Sequence, residues 1–138
     1  MSRILLSVLL VSIATLSGCG SDPTAELGNP VTVSGTITLD AKPSANVEVV
    51  FKRLDAGAPA QNRQFVAQTD SAGKYSLEKV YPAKYSVMVN EKKEDTGDED
   101  GAAAIETGPY VKYGSATKLI AEVTDTKTTF NFELTSKK

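Results

Sequence analysis

The chain has 138 residues, with 15 Lys and Arg against 17 Asp and Glu, one cysteine, no histidine and no tryptophan. That length makes a single domain the default, and a net charge of −2 supplies neither an electrostatic footprint for nucleic acid nor a basic face for anionic lipid. Without histidine, a Ser-His-Asp triad, a Cys-His dyad and a His-ligated zinc site are excluded, and one cysteine cannot form an internal disulfide.

The first element is the apolar run Ile4 to Leu16, ILLSVLLVSIATL, behind the basic residue Arg3. A run of roughly 13 residues is short for a bilayer span and has the length of a secretory signal core. Small residues Ser17 and Gly18 follow, and then Cys19. Leu16-Ser17-Gly18-Cys19 resembles the lipobox of bacterial lipoprotein signal peptides. The resemblance implies cleavage before Cys19, lipidation of its sulfur, and anchoring of the protein to a membrane. Removing residues 1–18 takes away Arg3 and no acid, leaving 14 basic against 17 acidic residues, a net charge of −3. Gly20 and Ser21, rather than an Asp, follow the cysteine. By the same resemblance this favours the outer membrane of the cell envelope, on its periplasmic or surface face. Gly20 to Pro30, GSDPTAELGNP, is rich in Gly, Pro and polar residues. It reads as a tether, so the expected organisation is a signal peptide over 1–18, a lipidated tether over 19–30 and a domain over 31–138.

From Val31 the apolar residues recur with period two, the signature of half-buried strands. Val31, Val33, Ile37 and Leu39 alternate with Thr32, Ser34, Thr36 and Thr38, and Gly35 falls on the apolar parity. A glycine there marks a bulge or close packing. Asp40 to Pro43 is a turn. Val47, Val49 and Phe51 then face one way, and Glu48 and Lys52 the other. Leu54 to Asn62 is a loop, Gln64 to Thr69 a weaker strand, and Asp70-Ser71-Ala72-Gly73 a turn with glycine placed for positive φ. Tyr75 and Leu77 continue the alternation, Tyr81-Pro82-Ala83 breaks it, and Tyr85, Val87 and Val89 resume it. After a long loop come Leu119, Ala121 and Val123, a turn at Asp125-Thr126, and finally Phe130, Phe132 and Leu134. Seven short strands with no helical period predict an all-β fold, an antiparallel sandwich with its apolar faces turned inward.

The order of these strands carries a family resemblance. VTVSGTITLDAKPSANVEVVFKR is similar to the opening of carboxypeptidase regulatory-like domains: a V-x-G-x-V strand, a D-x-x-P turn and an alternating apolar strand. TDSAGKYSLEKVYPAKYSVMV is similar to their next signature, T-D-x-x-G-x-Y followed by P/G-x-Y-x-V-x-V. The closing YVKYGSATKLIAEVTDTKTTFNFEL resembles the tail of small lipoproteins of this group found in planctomycete-type bacteria. The resemblance spans Val31 to Leu134. It implies a transthyretin-like (prealbumin-like) seven-stranded sandwich and carries over no enzymatic role.

Related sandwiches that do carry chemistry need residues this chain lacks. Transthyretin-type hydroxyisourate hydrolases require histidines and a C-terminal Tyr-Arg-Gly-Ser, and the chain ends Leu-Thr-Ser-Lys-Lys. Pilin-type isopeptide domains place a lysine on the first strand, and Val31 to Leu39 holds none, while Asn131 has outward parity. The charged stretch Glu91 to Gly101, EKKEDTGDEDG, offers Asp95, Asp98, Glu99 and Asp100 as oxygen donors for calcium. It fails the EF-hand spacing, because Thr96 and Thr107 stand at positions one and twelve. Tyr110 and Tyr113 follow that stretch and are the candidates for stacking on a glycan. Tyr75 and Tyr85 share the inward parity and are expected in the core. The expectation is therefore a non-enzymatic, lipid-anchored envelope domain without a cofactor. Its role is structural or interaction-based, with an envelope protein or glycan as partner. The alternative is a small calcium- or glycan-binding module built on residues 91–113.

Overall fold

Alternating side chains become a sheet only when each inward row meets a second sheet, and this chain supplies both. The computed structural model describes residues 24–55, 57–91, 108–115 and 117–137. Among them the chain forms β1 (Val31–Leu39), β2 (Lys42–Pro43), β3 (Val47–Arg53), β4 (Gln64–Gln68), β5 (Lys74–Val80), β6 (Ala83–Glu91), β7 (Ile120–Val123) and β8 (Phe132–Leu134). Seven of these fall on the seven alternating segments. The eighth, β2, lies in the expected Asp40–Pro43 turn. Asp40 and Ala41 both have positive φ, 50° and 65°, so the turn is a tight two-residue hairpin that pairs Leu39 with Lys42 and Thr38 with Pro43.

One sheet has the order β4-β3-β6-β7, all antiparallel. In the other, β1 pairs antiparallel with β5 and β2, and parallel with β8. A uniformly antiparallel sandwich was the expectation, and β8 departs from it for a topological reason. Val123 ends β7 opposite Ala83, and β5 ends at Val80 opposite Val31. The chain therefore crosses from β7 to the other sheet at the end where β1 begins, and β8 must run in the same direction as β1.

The inward rows meet around Phe51, which has no exposed surface. Its ring lies 6.0 Å from Tyr75, 5.9 Å from Tyr85, 6.3 Å from Phe130 and 6.4 Å from Phe132, in tilted and edge-on geometry. Tyr75 and Tyr85 are both in the core as their parity requires. Each buried hydroxyl finds a carbonyl: Tyr75 donates to Phe130 O at 2.7 Å, and Tyr85 to Tyr81 O, four residues upstream, at 2.7 Å. Satisfying those polar tips is what allows two tyrosines inside an apolar core.

Gly35 is the point where β1, β5 and the lead-in to β8 converge. It pairs with Tyr75, and a Cβ placed on it would stand 1.8 Å from Phe130 O and 2.9 Å from the Tyr75 hydroxyl. Only a residue without a side chain lets the Tyr75 ring cross β1 to reach that carbonyl. Gly73 serves a different need. Its φ of 71° closes the Asp70–Lys74 turn, in which the Asp70 carboxylate accepts from the amides of Ala72 and Lys74 at 2.8 and 2.9 Å. A further irregularity lies at the end of β5, where two residues face one on β1 between the Val31–Val80 and Val33–Leu77 pairs. Lys79, with φ 56°, absorbs this bulge.

Candidate functional site

The strand registers give the sandwich two ends of different chemistry. The entry end holds the start of β1, the 54–63 loop, Tyr81-Pro82 and the turn after β7. There the segment before β1 is not simply a spacer: Leu27, in a short 3-10 turn over Ala25–Leu27, is buried, and Gly28 lies against the Pro82 ring. Arg53 closes β3 at this end with its side chain only 8% exposed. Its Nε donates to Asp55 Oδ1 at 2.7 Å, and its Nη1 is buried with no hydrogen-bond partner. The Asp55 carboxyl is held below its ordinary pKa, first by that hydrogen bond. The Tyr85 hydroxyl is pushed up by burial, with the Arg53 charge working in the opposite direction. This arrangement braces the Arg53 end of the core.

The opposite end carries Tyr110 and Tyr113. Glu91 closes β6 opposite Val47, and a Cβ on Gly108 would lie 3.2 Å from Glu91 Oε1. Glu91 and Gly108, the described residues on either side of 92–107, thus sit side by side. Asp95, Asp98, Glu99 and Asp100, proposed from sequence as calcium donors, lie outside the described residues, as does Cys19. Among the described residues no group of three or more His, Cys, Asp or Glu converges to hold a metal ion.

Tyr110 and Tyr113 are both partly buried against the core. Tyr110 Oη donates to Ser44 Oγ at 2.9 Å. Tyr113 Oη accepts the Thr135 amide at 2.9 Å and donates to the Thr135 carbonyl at 3.3 Å, while Lys112 Nζ stands 5.2 Å from its ring centroid. Lys112 also donates to Thr135 Oγ1 and to the Lys137 carbonyl. Residues 108–115 therefore act as a strap from β6 across to the segment after β8. Asp40 fixes the same region, accepting the Ser136 amide at 3.0 Å and the Ser136 hydroxyl. Those two bonds, the hydroxyl first, hold the Asp40 carboxyl below its usual range. Asn131 is exposed, as its parity required. Its Oδ1 accepts from Thr36 N and Oγ1, both at 3.0 Å, so it locks β1 to the last strand instead of entering the core.

One surface was not singled out by sequence reasoning: the outer face of the β4-β3-β6-β7 sheet. Val50 shares the outward parity of Glu48 and Lys52 and yet is 3% exposed, because it lies between Val66 on β4 and Met88 on β6. Val66 is 51% exposed and Ile120, on β7, 49%. Glu48, Val66, Ala67 and Gln68 line a shallow depression at the β4 edge. The signal in the sequence was Val50 itself, an apolar residue out of phase with its strand.

Among the described residues no helix is long and apolar enough to cross a membrane. Comparison of the chain with protein-family models, with curated proteins and with solved structures found no match.

Proposed function

We propose that this protein is a lipid-anchored, non-enzymatic component of a bacterial cell envelope, in which a transthyretin-like sandwich is held at the outer membrane for a structural or protein-interaction role. The observation that carries the reading is the succession Arg3, the apolar run Ile4 to Leu16, and Leu16-Ser17-Gly18-Cys19, followed at once by a polar tract. Several acyl chains on Cys19 make a stable anchor, since each buried methylene contributes about 0.8 kcal/mol. The fold is compatible with such an anchor. Cys19 is five residues from Thr24, a span of at most roughly 18 Å when extended. Leu27 then docks, so the entry end of the sandwich is kept near the lipid surface. The interaction role is supported by what the described residues emphasise, which is sheet edges and an apolar outer row rather than a cleft with converging polar groups.

The test is mass spectrometry of the native protein together with membrane fractionation. The reading expects a mature chain beginning at an acylated Cys19 in the membrane fraction, and loss of both the acyl mass and the cleavage before residue 19 in Cys19→Ser. An unmodified N-terminus, or retention of residues 1–18 in the mature protein, overturns it.

A further inference from the structure

We infer that β4 is a homodimerisation edge, at which two copies of this chain pair antiparallel about Val66 and join their four-stranded sheets into one of eight. The inference deepens the interaction role proposed above by naming the partner, and it does not depend on the lipid anchor.

Exposed strand edges invite pairing, and folded proteins block them with charge, proline or shortness. In this sandwich β2 is Lys42-Pro43, β5 carries Lys74, Glu78 and Lys79, β7 carries Glu122, and β8 carries Glu133. The strand β4, Gln64-Phe65-Val66-Ala67-Gln68, has none of these devices. It pairs with β3 over five consecutive residues without a bulge, and no described strand pairs with its other edge.

The sequence of β4 is complementary to itself under a two-fold axis, which is the requirement for a closed dimer. Antiparallel pairing about Val66 places Val66 opposite Val66 of the second copy, Gln64 opposite Gln68, and Phe65 opposite Ala67. On the inner side a large residue meets a small one. On the outer side the Val50–Val66–Met88 row continues through the axis into its counterpart, covering the exposed valine at its end.

Charge selects the same register. Glu48 lies beside Gln68 and Lys52 beside Gln64 on the outer face. Pairing about Val66 therefore aligns each Glu48 row with a Lys52 row of the second copy. Centring the pair on Gln64 or on Gln68, or pairing the strands parallel, aligns like with like. The two charges are three strand spacings apart, about 14 Å, so they bias the register without supplying much affinity. A five-residue edge belongs with contacts below about 1,200 Å², which are weak in dilute solution. Confinement of both copies to one membrane raises their effective concentration and favours the pair.

The register makes a sharp experiment with the full chain. Across either kind of antiparallel pair the Cα separation of opposed residues, roughly 4.5–5.5 Å, is within disulfide range. Val66→Cys is expected to form a disulfide dimer of doubled mass on mild oxidation in native membranes. Ile120→Cys, equally exposed on the other edge of the same sheet, is expected to stay monomeric. Gln64→Cys and Gln68→Cys should each crosslink poorly alone, because like positions are four residues from alignment, and should crosslink when the two chains are co-expressed. Repeating the series in Cys19→Ser chains, purified and concentrated, separates the two readings. A register-specific crosslink that persists there stands even if the protein proves not to be lipidated. Equal crosslinking at positions 66 and 120, no crosslink at 66, or capture of a different protein at 66 overturns the inference.

Discussion

Replacing Gly35 by alanine tests the convergence of three strands on one backbone position. The added Cβ would stand 1.8 Å from Phe130 O, a backbone atom that cannot swing aside like the end of a flexible side chain. Restoring an ordinary contact of about 3.2 Å requires β1 and the β8 lead-in to separate by roughly 1.4 Å. That displacement strains the bonds that cross there: Phe130 N to Ser34 O at 2.9 Å, Ser34 N to Thr128 O at 3.0 Å, and the buried Tyr75 hydroxyl to Phe130 O at 2.7 Å. Each lost bond costs about 1 kcal/mol, and a buried partner left unsatisfied costs about 1–3 kcal/mol. The combined loss is about 3–5 kcal/mol, a large share of a small domain's typical stability of roughly 5–15 kcal/mol. For a domain of this size the melting temperature should fall by roughly 10–20 °C. The assay is a circular-dichroism melt backed by urea unfolding, with Gly57→Ala as control. A Cβ at Gly57 meets nothing closer than 3.7 Å and should leave stability within about 0.5 kcal/mol. If Gly35→Ala melts within about 2 °C of the wild type, the three-strand contact is not what holds β8 in place.

Phe51→Ala should be the most damaging apolar truncation, at about 3–5 kcal/mol in urea unfolding, because the ring touches aromatics from both sheets. Lys79→Gly should raise stability by about 1 kcal/mol, since an exposed residue with φ 56° gains from losing its Cβ, and Lys79→Val should lower it; paired thermal melts decide. The Arg53–Asp55 pair should show in acid. Because the Asp55 pKa is lower in the folded chain than in the unfolded one, its contribution is complete above pH ~4 and is lost as pH falls through the depressed value. Asp55→Asn should therefore melt below the wild type at pH 7 and converge with it in acid once the carboxyl is protonated; a constant gap throughout the acid titration would show that the charge is not responsible.

Strand positions were legible because parity is local: Val47, Val49 and Phe51 declare their face without knowing what lies opposite. Pairing is not local. That Phe130 and Phe132 return alongside β1 depends on which end β7 stops at, which no stretch of residues states. Gly35 shows the boundary well. Its place on the apolar parity announced a close approach, while the atom approaching it, Phe130 O, comes from 95 residues further along. Lys79 gave no warning, since lysine is not a usual left-handed residue and only the extra residue of β5 opposite β1 requires it there. Of the candidate site, Tyr110 and Tyr113 follow the charged segment in the chain. Their hydroxyls go to Ser44 and Thr135, partners that only the folded chain brings near. Cys19, Asp95, Asp98 and Asp100 rest on the sequence alone.

The parallel pairing of β1 with β8 also imposes an order in time. Ile37 and Leu39 are the middle and end of the first strand, and their neighbours are Phe132 and Leu134. No N-terminal fragment of the chain, however long, can complete that side of the sandwich until the final strand has been delivered. A polypeptide threaded through a membrane from its N-terminus would thus stay open during transit and shut only after release. Contacts so distant along the chain make closure slow compared with forming a local hairpin. The strand that enters first is the one that must wait longest for its partner.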